Sequence, residues 1–108
     1  MVKYQVEISD EAKDALKKIY DWLKEEESLS VAQKVRGGIL DAVSKLATMP
    51  QRHKILEEIS DDQMVFRRVL KWSYQIIYFI DEQVIKVQVV EIIHSKRNPE
   101  QLKGQLKK

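Results

Sequence analysis

The residues able to do chemistry gather late in the chain. In "IIHSKRNPE", Ile92 to Glu100, a β-branched run gives way to His94, Lys96 and Arg97. Arg67 and Arg68 stand side by side in "MVFRRVL", and Arg52, His53 and Lys54 come shortly before them. Guanidinium and ammonium groups suit phosphate oxygens. They also suit RNA cleavage, in which a base takes the 2′-hydroxyl proton, cations hold the crowded phosphate and an acid protonates the leaving oxygen. His94 fits the acid or the base, because an imidazole titrates near neutrality. A plainer reading competes: His94 merely ends a strand, and the arginines meet surface carboxylates. The residues alone leave both open. Neighbours on a strand face opposite ways, so only one of Arg67 and Arg68 can point to a given sheet face.

Other chemistries find less support. With no cysteine there is no disulfide or thiol to propose, which fits a reducing compartment. His53 and His94 are too few for a metal site, and no base is spaced to activate a serine. Gly37-Gly38 lies inside a helical pattern, with no strand before it and no Gly-Lys-Ser/Thr after it, so it is no phosphate loop. No metal and no cofactor are expected. The N-terminus "MVKYQVEIS" lacks a signal-peptide pattern. The longest apolar run, Ile76 to Ile80, falls far short of the roughly 20 residues of a membrane span. The expected location is cytoplasmic, with no membrane partner.

The elements that must position these residues follow from periodicity. At 108 residues, 44% apolar and 33% charged, the chain is a single soluble domain over 1–108, with about 101–108 a polar tail. Tyr4, Val6 and Ile8 alternate with Lys3, Gln5 and Glu7, which predicts a short strand. Ser9 or Asp10 can cap the helix that follows, where Ala12, Leu16, Ile19, Tyr20 and Leu23 form an apolar stripe. Ser30 and Gln33 match a capping box for a second helix presenting Ala32, Val35, Ile39, Val43 and Leu46. Close approach of the neighbouring helix would account for its two glycines. Pro50 lies past its end.

Residues 51–63 read as a loop with a short extended piece. Then come "MVFRRVL", Tyr74 to Ile80 and Val84 to Ile93, three strands on short turns and therefore antiparallel. The middle one alternates little, as a central strand covered on both faces would. In the last, Lys86 and Gln88 share one face and Glu91 takes the other, which a bulge between Val89 and Glu91 would reconcile. The result is an α+β fold, β-α-α-β-β-β, with a helical hairpin packed on a mainly antiparallel four-stranded sheet. The second sheet face, open or partly covered, is where a partner would go. Charge is uneven: residues 1–27 carry net −3, residues 28–66 net 0 and residues 67–108 net +5. The basic third could meet an anionic partner, or simply keep the surface solvated.

"FRRVLKWSYQIIYFID" followed by "VIKVQVVEIIHSKRNPE", with Leu46 and Pro50 closing the hairpin, resembles a toxin of the RelE/ParE superfamily of bacterial type II toxin–antitoxin pairs. The likeness runs from Tyr4 to about Glu100. It implies a cognate antitoxin that wraps the toxin with a helix and an extended segment. It also implies one of two targets. RelE-like members enter the ribosomal A site and cut mRNA; in that case His94, Arg68 and Arg97 would be catalytic. ParE-like members poison DNA gyrase and lack that set. Arg68 sits near a phosphate-binding arginine of the family, Arg97 matches the basic residue after the last strand, and Lys54 matches more loosely. Lys54, Arg67 and Lys96 would then contact RNA phosphate or another target. No aromatic residue follows Phe79, so the late tyrosine of many RelE-type nucleases is missing, and the tail "HSKRNPEQLKG" is more ParE-like. A ParE-like inhibitor of gyrase is therefore the first expectation and a ribosome-dependent mRNA endonuclease the second. A nucleic-acid-binding module with no toxic role ranks third.

Overall fold

Alternation in "KYQVEIS" becomes strand β1, Gln5–Ile8. One hydroxyl then both ends it and starts the next element. Ser9 Oγ accepts from the Ala12 N–H at 3.0 Å, capping helix α1, Asp10–Glu26, and donates to the Val90 carbonyl at 3.2 Å, which pins the helix start to the sheet. Asp10 and Glu11 lie in the first turn, where the helix dipole favours negative charge. These are features of a computed structural model, which describes residues 2–95.

Helix α1 closes abruptly, with the N–H groups of Glu27 and Ser28 both donating to the Leu23 carbonyl. The chain reverses at once, so the first hydroxyl available to cap helix α2, Leu29–Ser44, is Ser28. Its Oγ accepts from the Val31 N–H at 3.0 Å. The capping box expected at Ser30 and Gln33 is thus corrected, since Ser30 already lies inside the helix.

The reason expected for the glycine pair is corrected too. A Cβ on Gly38 would collide with the indole of Trp72, so the close neighbour is a strand turn and not helix α1. A Cβ on Gly37 would meet nothing within 4 Å.

Beyond α2, a tight passage over 45–52 leads to the two-residue strand β2, Lys54–Ile55, and then to β3, Phe66–Lys71, β4, Tyr74–Asp81, and β5, Lys86–His94. The sheet order is β1-β5-β4-β3-β2. β1 runs parallel to β5, and every other pairing is antiparallel. The α+β class and the element order are as expected. The sheet, however, has five strands and not four, because the extended piece in the loop pairs Lys54 with Arg68 and Ile55 with Arg67. The bulge is where the face switch in β5 placed it: Tyr78 pairs with Val89 and Ile77 with Glu91, which leaves Val90 as the extra residue.

β4 is buried from Tyr74 through Tyr78, and it divides the core in two. On the helix side, Ile76 and Tyr78 join Ala12, Leu16, Ile39, Val43 and Val87. On the other side, Leu56 and Ile59 lie against Phe66, Ile77 and Ile93. Each fully buried side chain of this size stabilises the fold by about 1.5–3 kcal/mol. The second sheet face is therefore partly covered, by the segment around the single turn Glu57–Ile59. Among the described residues, no helix is long and apolar enough to cross a membrane.

Candidate functional site

The parity of β3 decides which arginine faces where. Arg68 pairs with Ile77, on the face opposite the helices. Its guanidinium donates to Gln75 Oε1 at 3.1 Å, and Gln75 Nε2 donates to the Ser95 carbonyl at 3.2 Å. Gln75 is only 1% exposed and is the one polar residue among the buried side chains described. It links Arg68 to the end of β5. Its signal in the sequence was a lone amide inside the apolar run "YQIIYFI".

Arg67 points the other way, at the sheet edge. One terminal nitrogen donates to the carbonyls of Gln51 at 2.9 Å and His53 at 2.8 Å. The Tyr78 hydroxyl ties down the same passage, donating to the Pro50 carbonyl at 2.6 Å. Arg67 is thus engaged in holding the loop before β2.

His53 sits within this arrangement, edge-on to Tyr78 with ring centroids 6.2 Å apart. Burial, and then the positive charges of Arg52 and Arg67, hold its imidazole below its ordinary pKa of 6.5. Burial of Tyr78 pushes its phenol well above the usual range, so it serves as a hydrogen-bond donor.

Lys54 pairs directly with Arg68 across the ladder. Like charges placed opposite each other destabilise a sheet by a fraction of a kcal/mol to about 1 kcal/mol. An anion near the pair would relieve that repulsion, so this corner of the sheet can receive a phosphate or a carboxylate. Glu57 and Glu58 line the adjoining hollow with Lys54 and Arg67, which limits its positive potential.

His94 lies elsewhere. It pairs with Tyr74 in register, and the two rings meet edge to face at 5.7 Å. Tyr74 belongs to the helix-side core, and its burial raises its phenol pKa. His94 and Arg68 therefore occupy opposite faces of the sheet, and the set of His94, Arg68 and Arg97 is not brought together by the described residues. Lys96 and Arg97 lie outside those residues. Among the described residues no group of three or more histidine and carboxylate side chains could hold a metal ion.

This frame of two helices on a mixed sheet is similar to the fold of solved toxin–antitoxin structures. A structure described as the chromosomal ParDE toxin–antitoxin system from P. aeruginosa superposes with a TM-score of 0.70 at 14% identity, covering 87% of this chain and 98% of that one. The RelBE2 toxin–antitoxin complex from Mycobacterium tuberculosis gives 0.61 at 18% identity, covering 86% and 99%. The archaeal RelE–RelB complex from Pyrococcus horikoshii OT3 gives 0.63 at 14% identity, covering 90% and 100%. At such identities the likeness concerns the fold. No curated protein matches the sequence. The model of the family described as the ParE toxin of the type II toxin–antitoxin system, parDE, matches residues 6–99. The chain belongs to the ParE toxin family of type II toxin–antitoxin systems.

Proposed function

We propose that this toxin acts in the cytoplasm as a ParE-like inhibitor of DNA gyrase, is not itself an enzyme, and is held inactive by a cognate antitoxin. The observation that carries the reading is the separation of Arg68 and His94. General acid–base cleavage of RNA needs the proton-transfer group and the phosphate-binding cation within hydrogen-bond reach of one phosphodiester. Here a five-stranded sheet stands between them. Arg67, the neighbouring cation, is engaged by two backbone carbonyls. Membership of the ParE family supports the same target. The antitoxin is inferred from the solved relatives, which are described as toxin–antitoxin complexes or systems. Lys54 and Arg68 then offer an anion-receptive corner to an acidic segment of partner or target.

Induction of the chain alone, followed by pulse-labelling of DNA and protein, tests the reading. Stalled replication with DNA-damage signalling and intact translation is expected. Immediate arrest of protein synthesis with cut mRNA would instead establish the ribosome-dependent nuclease, and growth unaffected by either route would leave only a nucleic-acid-binding module.

A further inference from the structure

The turn between β3 and β4 gathers two choices that each cost stability. Trp72 and Ser73 alone join Lys71 to Tyr74, which pair across the ladder. Trp72 takes the first place with φ 52°, in the left-handed region, where a turn of this length favours glycine or asparagine. Its indole rests on Gly38, and a Cβ there would collide with the ring, so α2 keeps a glycine in its interior. Burial does not offset these costs, since Trp72 remains 53% exposed. The ring is nevertheless held in place. Lys71 sets its ammonium 4.6 Å from the ring centroid, and the Ser95 N–H braces the turn by donating to the Ser73 carbonyl at 2.6 Å. Strain kept at an exposed, rigid aromatic suits a binding anchor better than a folding contact.

We propose that this tip is the toxin's contact with gyrase, and that it takes an extended, acidic segment of that target with Trp72 as the anchor. The proposal rests on the gyrase reading, which leaves the contact with the target unassigned. Backbone geometry points to an extended segment. β2 covers β3 only at Arg67 and Arg68. On that outer edge, the Phe66 N–H donates to Ser60 Oγ and the Phe66 carbonyl accepts from the Leu56 N–H. By alternation Leu70 turns its own peptide groups the same way, where β2 has already ended. An added strand would find these groups beside a Leu70 side chain that is 52% exposed. Charge points to an acidic segment. Lys71 lies at the tip, and Lys34 stands one turn before Gly38 on α2. Asp41, one turn after Gly38, is already ion-paired with Lys45 at 3.1 Å. The tip therefore carries an excess of positive charge that an acidic segment would complement.

Inhibition of gyrase supercoiling by purified full-length variants tests this. Trp72→Gly removes the left-handed strain along with the indole, so its urea midpoint is expected to stay close to the native one. Its concentration for half inhibition should nevertheless rise at least about 10-fold. Lys71→Glu leaves the turn backbone unchanged and carries the test independently. It should raise the same concentration about 3- to 10-fold, with the gap narrowing as salt is added. Both variants should still bind the cognate antitoxin with native affinity. Native potency in both would overturn this proposal alone. So would loss of antitoxin binding with inhibition intact, which assigns the tip to the antitoxin. A dimer of the native chain that Trp72→Gly abolishes would also overturn it, by assigning the tip to a second copy. A native chain that leaves supercoiling undisturbed would overturn the gyrase reading itself, and this proposal with it.

Discussion

At Arg67 a single guanidinium nitrogen serves two carbonyls, those of Gln51 and His53, and so fixes the passage that leads into β2. Arg67→Ala is expected to lower folding stability by about 1.5–3 kcal/mol, the range for hydrogen bonds to a charged donor. Arg67→Lys should recover only part of this, because an ammonium does not reproduce the planar fork. Urea titration of the two variants checks both. Arg68, one residue on, has a different environment, and so does His94. If gyrase is the target, Arg68→Ala and His94→Ala should each keep most of the toxicity on induction. Loss of toxicity in both, with the fold intact, would restore the catalytic assignment. His53 gives a pH signature. Its native pKa is depressed, so the unfolded chain binds more protons in the interval below about pH 6.5. The stability linked to neutral His53 is complete above the unfolded pKa and is lost as pH falls through the lower native value. Between about pH 7.5 and pH 5, the urea midpoint should therefore drop more steeply in the native chain than in His53→Gln.

At the level of elements, the glycines of α2 make a matched pair. Ala in place of Gly removes a helix-propensity penalty of about 0.8–1 kcal/mol. Gly37→Ala should gain roughly that amount, since nothing lies within 4 Å of the new Cβ. Gly38→Ala should gain less, and it should push the Trp72 ring outward, with a red-shifted emission when Trp22 is replaced by Phe. Equal stabilisation by both, with Trp72 emission unmoved, would contradict the contact. Much of the element plan was legible because local rules govern it. Tyr4, Val6 and Ile8 gave β1 by alternation, Ser9 was among the caps read from the sequence, and the face switch from Gln88 to Glu91 located the bulge at Val90. What stayed hidden depended on tertiary register. Nothing near Gly38 in sequence announces Trp72. Two residues such as Lys54 and Ile55 carry too little periodicity to reveal a strand. That Arg67 and Arg68 diverge was readable, but which of them faces the helices follows only from their pairing with Tyr78 and Ile77. His94 was expected beside the basic face, and the pairing with Tyr74 puts it on the helix side.

Across the whole molecule, sequence charge and surface shape divide the labour. The acidic N-terminal third places Glu11 and Asp14 on helix α1, while the basic C-terminal third supplies Arg67 and Arg68 to strand β3. On the proposed reading the protein acts by binding, and binding to gyrase is measurable without a cell. The purified chain, added to gyrase with ATP and relaxed plasmid, should inhibit supercoiling and trap cleaved DNA, and an equimolar cognate antitoxin should reverse both. Undisturbed supercoiling, together with mRNA cleavage when the same preparation is added to translating ribosomes, would contradict the account.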